Sequence, residues 1–354
     1  MIDFIVVGSG LGGISFCEQL VSNDCSYVVF DDNSQQSSNI AAGMYNPVIF
    51  KRYTSVWKAQ EQLDMLHPFY KGLEEKLAVK LDYAQSIYRR FFSVEEQNSW
   101  FEAADKPYLQ PFLSTSLIKD SLDGIKADFG YGEVKQGGWV HTNLLQQKYL
   151  EHLSSTKQLR EERFDYDSLD IQEDKVVYKD IEAKYIVFCE GFGLHSNPYF
   201  DYLPLVGTKG EVLEIEVPGL ELDVIIKASV FLLPLGGDKY KVGATYKWKD
   251  KTNIPTQACR NELEEKLRTF MTRPYKVLKH LAGVRPTVTD RHPLLGKHPK
   301  YDRLFVLNGL GSRGVMLAPY LSMLLFDHII NNTPLEREIN IERFLKKFKL
   351  RSSL

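Results

Sequence analysis

The sequence predicts an α/β protein with two interleaved domains, one built on a mainly parallel sheet and the other on an antiparallel sheet. Three observations predict this fold class. Residues 4–32 read as an apolar strand, a glycine-rich turn, a helix and a second apolar strand. Residues 184–193 form a further apolar strand that again ends in glycine. From about 204 to 249, apolar runs are separated by PG and GGD turns, as in antiparallel sheets.

The first region has the pattern of a Rossmann-like βαβ unit. Gly8, Gly10 and Gly13 fit GxGxxG, and Asp31 follows the last glycine by 31 − 13 = 18 residues, close to the spacing of about 20 in dinucleotide-binding folds. In such folds the glycines provide a tight turn, a close approach for the pyrophosphate and close helix packing. The unit therefore predicts a bound dinucleotide. The alternative is a glycine-rich turn that binds nothing.

The predicted dinucleotide site includes the start of the helix. Free N–H groups and the partial positive charge of a helix N-terminus favour phosphate, and Leu11 in the turn GSGLGG belongs to this site. At the end of the second strand, Asp31 or, failing that, Asp32 would bind the ribose hydroxyls.

The remaining elements follow in chain order. Residues 55–77 have apolar residues at intervals of three and four, which predicts a helix, and residues 84–137 alternate apolar runs with polar turns, which predicts strands. We assign residues 1–80, 138–203 and 283–354 to the nucleotide-binding domain and residues 81–137 and 204–282 to an antiparallel-sheet α+β domain that binds substrate.

Composition limits the possible partners. The 354 residues include 44 Lys and Arg against 46 Asp and Glu, a net charge of −2, so there is no basic field to recruit nucleic acid. The four cysteines have no metal-binding spacing, which predicts reduced thiols and no metal site. Pro319 and Ser322 interrupt the longest apolar stretch, so we expect no membrane span and a cytoplasmic protein with a small-molecule partner.

A second glycine-rich stretch, NGLGSRGVMLAP, covers residues 308–319. It places Gly309, Gly311 and Gly314 around Arg313 and predicts a helix that begins near Pro319. Crowded glycines allow unusual dihedrals and a close approach to the backbone. The stretch therefore predicts a bound ligand, and the alternative is a plain strand-to-helix turn.

With these motifs the sequence resembles the D-amino-acid oxidase superfamily of flavoenzymes, which includes glycine oxidase and sarcosine oxidase. The resemblance spans nearly the whole chain. Four motifs carry it in the family's order: GSGLGG with Asp31, IAAGMYNP at 40–47, GVRPTVTDRHPLLG at 283–296 and NGLGSRGVMLAP at 308–319. It implies a bound FAD that lies extended along the sheet, with the flavin between the two domains. One departure is that the ribose acid, usually Glu in the family, is Asp here.

The resemblance implies which residues contact the flavin. The 308–319 loop would place backbone N–H groups near the pyrimidine edge of the ring, where a helix N-terminus stabilises the negative charge of a reduced flavin. The segment at 41–44 would pass along the ring, with Met44 at the substrate cavity or, alternatively, in the core. The implied contacts, together with the end of the strand at 184–193, are Ala42, Gly43, Met44, Gly191, Gly311, Ser312, Arg313, Gly314 and Val315.

The resemblance also implies the substrate-binding residues. Amine oxidation by flavin is a hydride transfer to flavin N5 and depends mainly on orientation of the substrate in a dry site. Arg285 in GVRP would pair with a substrate carboxylate through its planar fork; the alternative is an arginine that joins the domains through an internal acid. Arg313 would lie near the substrate entrance, or would pack against its own loop. Tyr246 in GATYKW would face the cavity, and His292 would be structural.

Two questions about the flavin follow from the family. Related sarcosine oxidases place a lysine above the ring to help oxygen accept electrons, and Lys247 or Lys249 could be that residue or a surface lysine. Those enzymes also attach flavin to a cysteine beyond the arginine motif, but here no cysteine follows Cys259. We therefore expect non-covalent FAD.

The predicted function is an FAD-dependent oxidase or dehydrogenase of a small amine or amino acid, such as glycine, sarcosine or a D-amino acid, with oxygen or another electron acceptor. GLGSRG also resembles the oxidase domain of the bifunctional enzyme that trims carboxymethylaminomethyl groups on wobble uridine of tRNA. The same Arg285 would serve that reaction. The balanced charge of this chain argues against a tRNA partner.

Overall fold

The computed structural model describes residues 1–351. The strands are β1 (Ile2–Val7), β2 (Tyr27–Phe30), β3 (Met44–Tyr45), β4 (Val48–Ile49), β5 (Thr54–Ser55), β6 (Asp82–Ala84), β7 (Ile87–Arg90), β8 (Tyr131–Val134), β9 (Gly138–Val140), β10 (Leu159–Arg160), β11 (Leu169–Ile171), β12 (Val176–Tyr178), β13 (Ile181–Phe188), β14 (Thr208–Glu216), β15 (Ile225–Lys227), β16 (Phe231–Gly236), β17 (Lys239–Gly243), β18 (Lys276–Arg285), β19 (Leu294–Lys297) and β20 (Leu304–Asn308). The α-helices are α1 (Leu11–Ser22), α2 (Ser37–Ile40), α3 (Ala59–Leu77), α4 (Val94–Ala104), α5 (Thr142–Ser155), α6 (Gln257–Arg268), α7 (Gly314–Asn331) and α8 (Leu345–Arg351).

The first sheet has eight strands and a parallel centre. Its main path runs β10-β2-β1-β13-β12-β11, and β20 pairs with β13 in parallel. Strands β2 and β20 are fully buried, and β1 and β13 are buried in their carboxyl-terminal halves. All four are rich in Val, Ile and Phe, as expected of parallel strands covered on both faces. Because parallel strands share a direction, their carboxyl ends meet at one edge. Ligands bind at this edge in open α/β sheets.

The second sheet has seven strands in the order β18-β14-β17-β16-β15-β7-β8, antiparallel except between β15 and β7. Helix α6 packs against β14 and β17. The two sheets confirm the predicted α/β class with a second, antiparallel-sheet α+β part. The exact domain boundaries stay a prediction, and β18 itself crosses the one drawn at residue 283.

The prediction that strands fill residues 84–137 was wrong in one part, because α4 lies inside this region. Its start has a capping box: Ser93 Oγ accepts a hydrogen bond from the Glu96 N–H at 3.3 Å, and Glu96 Oε2 accepts one from the Phe92 N–H at 2.8 Å. The first bond satisfies an N–H group that the first turn leaves free, and the second ties the residue before the cap to the helix. The local cap therefore outweighs the short apolar runs that suggested strands.

The predicted start of α7 at Pro319 was also wrong, because the helix begins at Gly314. A proline in the second turn cannot donate to the carbonyl four residues earlier, here that of Val315. The hydroxyl of Tyr70 on α3 donates to this carbonyl instead, at 3.0 Å. A side chain from another helix thus replaces the missing backbone bond, and the helix continues through the proline.

Within residues 1–351, α7 is the one helix long and apolar enough to cross a membrane, with a mean hydropathy of 1.2. Core helices of soluble proteins have the same length and composition. More than half of α7 is buried, and it packs against α1 and α3. Its apolar side chains therefore have partners in the protein core.

Candidate active site

A cavity of about 1040 Å³ lies where the two sheets face each other. It runs from the carboxyl edge of the parallel sheet to one face of the antiparallel sheet. Ligand pockets of drug-sized molecules occupy about 300–1000 Å³, so this cavity is large enough for an extended cofactor. We call the part lined by the loop after β1 and by the residues that follow β2 and β13 the nucleotide end. We call the part lined by the antiparallel sheet the substrate end.

Glycines allow the loop after β1 to line the nucleotide end. Gly8 has φ +99°, and a Cβ there would lie 2.6 Å from the carbonyl oxygen of Cys189. Gly10 and Leu11 line the cavity where α1 begins. Gly13 does not line the cavity, and a Cβ there would overlap the carbonyl oxygen of Gly8. Gly13 is therefore the glycine of GxGxxG that allows close packing of the helix, while Gly8 and Gly10 present their backbone to the ligand.

Two acids follow β2 at this end. Asp31 Oδ2 accepts hydrogen bonds from the N–H and hydroxyl of Ser9 at 2.5 and 2.6 Å, and Oδ1 accepts one from the Asn33 N–H at 2.6 Å. Asp32 accepts one bond, from the Ser34 N–H at 3.0 Å, through Oδ1. Both residues line the cavity. Asp31 thus holds the glycine loop against β2, and Asp32 has the freer carboxylate.

A third acid, Glu190, lines the same end and was not predicted. It follows β13, accepts a hydrogen bond from Asn197 Nδ2 at 2.7 Å and is bonded by the hydroxyl of Tyr166. Burial raises the pKa of this carboxyl group to about 7 in spite of the two donors, and the charge of Asp32 adds to the rise. The signal in the sequence was a glutamate directly after a buried apolar strand, without a motif to give it a role.

The segment after α2 lines the middle of the cavity with Ala42, Gly43 and Met44. Gly43 has φ +69°, and a Cβ there would overlap the carbonyl oxygen of Val140. The carbonyl of Ala41 accepts hydrogen bonds from Lys241 Nζ at 3.2 Å. The segment is therefore held between β9 and β17, and Met44 is partly buried at the cavity wall.

The loop before α7 lines the cavity from Gly309 to Met316. Gly311 has φ +57° with open space where a Cβ would lie, but its N–H donates to the carbonyl of Pro286 at 3.1 Å. In the part of the chain that the structure describes, the N–H groups of Ser312, Gly314 and Val315 have no hydrogen-bond acceptor. Three of the four predicted donors are thus available. Gly191 at the nucleotide end likewise has φ +54° and open space at its Cβ position.

Arg285, the last residue of β18, lies at the substrate end. Its side chain crosses β14 at Gly210, where a Cβ would overlap the guanidinium. Nη1 donates to the carbonyl of Thr245 at 3.2 Å, and the guanidinium carbon is 4.5 Å from the ring centroid of Tyr246. Among residues 1–351 no carboxylate pairs with it. The internal acid of the alternative interpretation is therefore missing, and burial lowers the pKa of this arginine.

The other predicted substrate residues fall into two groups. Arg313 lines the cavity, where burial lowers its pKa, and its side-chain contact is a long one of 3.5 Å to the carbonyl of Arg291. Tyr246 lines the mouth and is 58% exposed. Neither Lys247 nor Lys249 lines the cavity: the first pairs with Glu262 at 2.8 Å on α6, and the second is exposed.

Lys227, the last residue of β15, also lines the cavity and was not predicted. Its amine lies 5.6 Å from the ring centroid of Phe231. Burial lowers its pKa to about 8, and the charges of Arg89, Lys266 and Arg285 contribute. The available signal was a charged residue inside the apolar run VIIKASV.

Metal chemistry has no support in the arrangement of side chains. Within residues 1–351 no group of three or more His, Cys, Asp or Glu side chains is placed to hold a metal ion. All four cysteines are free thiols.

The profile of the FAD dependent oxidoreductase family, DAO, matches residues 3–328. Glycine oxidase of Bacillus subtilis (strain 168) is 22% identical over 377 residues, covering 98% of this chain and 96% of that protein. The tRNA 5-methylaminomethyl-2-thiouridine biosynthesis bifunctional protein MnmC of Acinetobacter baylyi is 39% identical over 75 residues, which is 20% of this chain and 12% of that protein.

Among solved structures, glycine oxidase from Geobacillus kaustophilus superposes with a TM-score of 0.79 at 18% identity, covering 97% of both chains. The fold, the glycine-rich nucleotide end and the family profile agree. The chain belongs to the DAO family of FAD dependent oxidoreductases.

Proposed function

We propose that this oxidoreductase oxidises the C–N bond of a small carboxylate-bearing amine, such as glycine, sarcosine or a D-amino acid, with FAD held non-covalently. The observation that carries the proposal is Arg285. Its guanidinium is held between Gly210 and Tyr246, without a carboxylate partner, in the cavity that the nucleotide loop also lines. An unpaired guanidinium in a partly buried site favours an anionic ligand.

The residues of the cavity fit an FAD molecule. The start of α1 and the glycine at position 8 would hold the pyrophosphate, Asp31 or Asp32 the ribose, and Ser312, Gly314 and Val315 would donate to the flavin. When bound, FAD would supply the acceptor for one hydride, which carries both electrons of the oxidation. Cys259 is the last cysteine, lies buried on α6 and does not line the cavity, which supports non-covalent binding.

The side chains at the substrate end would orient the amine. Arg285 would bind the carboxylate through two parallel hydrogen bonds and so fix the angle of the adjacent carbon. Val212 and Phe231 line the wall beside it and exclude water. The C–H bond of this carbon breaks and the carbon–nitrogen double bond forms; the nitrogen releases a proton to solvent, and water then hydrolyses the imine to an amine and a carbonyl compound.

A second candidate is the carboxymethylaminomethyl group of a tRNA uridine. The similarity to MnmC supports it, and so does the mouth of the cavity, where Tyr246 and Trp248 are 58% and 52% exposed. Exposed aromatic rings can stack on a base. The balanced charge of the chain makes a small amine the better candidate.

The test is anaerobic mixing of the purified yellow protein with glycine, sarcosine, proline and D-amino acids, followed at the oxidised-flavin band. We expect at least one of them to bleach the flavin, and Arg285→Ala to lower kcat/KM for it by about 10³-fold, since a bidentate pair to a charged group is lost. The kcat/KM of Arg285→Lys, which keeps the charge and loses the planar fork, should lie between those of the wild type and Arg285→Ala.

Two controls separate the outcomes. Acid precipitation should release FAD into the supernatant; flavin that stays with the protein would contradict non-covalent binding. A yellow protein that none of the panel reduces would contradict the small-amine proposal and favour a larger substrate.

A further inference from the structure

The wall of the substrate end has more positive charge than one carboxylate requires. Three cations from the antiparallel sheet and α6 line it: Lys227, Lys266 and Arg285. In the described chain no acid lies on this wall. The acids that line the cavity all belong to the nucleotide end, namely Asp31, Asp32, Glu162 and Glu190.

Only one of these three cations has a counter-charge. Lys266 Nζ pairs with Glu262 at 2.7 Å. Lys227 Nζ has neither a carboxylate nor a hydrogen-bond acceptor within residues 1–351, and it lies 5.6 Å from the ring centroid of Phe231. Arg285 donates to a carbonyl alone. Two uncompensated cations therefore share one cavity.

These two cations lie within electrostatic range of each other. The positive charge of Arg285 contributes to the lowered pKa of Lys227, as do those of Arg89 and Lys266. Arg89 is paired with Glu96 at 2.6 Å and does not line the cavity. Removing a charge from water without a partner is costly, and truncating one partner of a buried pair is strongly destabilising for the same reason. A ligand with two anionic groups would compensate both cations.

An unpaired hydroxyl lies on the same wall. Thr208 pairs with Arg285 in the ladder between β14 and β18, so the two side chains share a face of the sheet. Thr208 is 1% exposed, lines the cavity, and its Oγ1 has no hydrogen-bond partner. Buried hydroxyls without a partner are rare in native proteins. A carboxylate on Arg285 would accept a bond from this hydroxyl.

We propose that the substrate is an amine with two carboxylates, one bound by Arg285 and Thr208 and the other by Lys227. This proposal rests on the proposed function. The class includes amino dicarboxylates and N-carboxymethyl amino acids. Oxidation removes a hydride and a proton from the C–N unit and leaves both carboxylates unchanged, so Lys227 acts on binding and position.

The first test measures binding without turnover. The oxidised holoprotein is titrated with succinate and with butyrate, which differ by one carboxylate, and the change of the flavin spectrum gives Kd. We expect succinate to bind at least about tenfold more tightly, the effect of one further charge-assisted contact. Lys227→Met should abolish this difference and Lys227→Arg should retain it. Lys239→Met, a change of an exposed lysine on β17, is the matched control.

The second test measures anaerobic flavin reduction by three pairs: iminodiacetate and sarcosine, D-aspartate and D-asparagine, D-glutamate and D-glutamine. We expect Lys227→Met to lower kcat/KM about tenfold or more for the dicarboxylate of the productive pair and less than about threefold for its partner. Circular dichroism and FAD content establish that the variant is folded.

Three results would overturn the proposal. Equal Kd values for succinate and butyrate would show that Lys227 does not bind a second carboxylate. Equal losses of kcat/KM in Lys227→Met for both members of a pair would assign this lysine a general role. Unchanged reduction with slower reoxidation by oxygen would assign it to the electron acceptor. In each case, if a monocarboxylate amine still bleaches the flavin and the bleaching depends on Arg285, the proposed function stands. If no amine bleaches the flavin, the proposed function is contradicted. The succinate titration alone then decides whether the second anion site exists.

Discussion

The two ends of the cavity differ in how they are built. At the nucleotide end, consecutive residues of β1, α1 and the 309–315 loop offer backbone N–H groups, and the acids that line the cavity lie there. At the substrate end, single side chains from separate strands offer positive charge. A site made of backbone requires glycines at fixed spacings, which a sequence displays. A site made of isolated side chains depends on strand pairing, which a sequence does not display.

The largest expected effect is at a packing glycine of the nucleotide end. Gly13→Ala places a Cβ against the carbonyl oxygen of Gly8, so we expect loss of bound flavin and a drop in the free energy of unfolding of more than about 3 kcal/mol. Flavin absorbance per protein and guanidinium unfolding measure both. The control is Gly72→Ala inside α3, where a Cβ meets nothing within 4 Å and helix propensity favours alanine by about 1 kcal/mol. Equal behaviour of the two variants would show that this end tolerates a shifted backbone.

The second prediction concerns the substrate end, where one glycine positions a charge. Gly210→Ala would displace the guanidinium of Arg285 and lower kcat/KM by about 10²-fold, since a shift of about 1 Å can cost that much. FAD content should stay unchanged. In an Arg285→Ala background the same change should add little, because the displaced group is already absent. Additive losses in the double variant would mean that Gly210 acts without the arginine.

The third prediction uses the raised pKa of Glu190. Its folded-state pKa of about 7 exceeds the ordinary 4.5, so the stability that the protonated form contributes at low pH is lost as pH rises through 7. The full difference corresponds to about 3 kcal/mol. Glu190→Gln cannot ionise but loses one hydrogen bond, so we expect about 2 kcal/mol more stability than wild type at pH 8 and no gain near pH 5. Urea unfolding at both pH values measures this.

Glu161→Gln, a change of an exposed acid nearby, should shift stability equally at both pH values. A pH-independent effect of Glu190→Gln would show that the carboxyl group is ionised throughout this range.

The smallest predicted effect is the pH dependence of succinate binding. Lys227 holds the second carboxylate only when protonated, and its pKa in the free protein is about 8. The groups that face it, Arg89, Lys266 and Arg285, are cations that favour its neutral form. The roughly tenfold advantage of succinate over butyrate should therefore be constant below pH 7 and disappear between pH 8 and 10. An advantage that persists at pH 10 in wild type and in Lys227→Met would assign the second carboxylate to another group.

Local patterns made the fold class and the nucleotide end predictable. The run GSGLGG with Asp31 and the glycines around Arg313 are contiguous signals, and the structure places these residues at one cavity, with Gly13 packed behind it. The two errors in helices are also instructive. The capping box at Ser93 and Glu96 was a readable signal for α4, whereas α7 passes through Pro319 because Tyr70, distant in sequence, bonds to Val315.

The substrate end was less predictable for a physical reason. The crossing of Arg285 over Gly210 depends on the register in which β14 pairs with β18, where Thr208 lies opposite Arg285 and Gly210 opposite Gly283. Lys227 reaches the same cavity from a third strand, β15. No spacing along the chain relates these positions. Their common environment follows from tertiary pairing alone.

The position of β13 has a consequence for synthesis of the chain. This strand pairs on one side with β1 and on the other with β20, so the carboxyl edge that carries the nucleotide end stays incomplete until residues 304–308 have been made. At about 5–20 residues per second, β13 waits roughly 6–24 s for β20 after its own translation. During this interval one edge of an apolar strand lacks its neighbour, and such edges favour aggregation. We expect ribosome-bound chains arrested before residue 304 to be digested by protease within the βαβ unit and chains arrested well beyond 328 to resist it. The last seventh of translation would then decide whether the first thirty residues acquire their function.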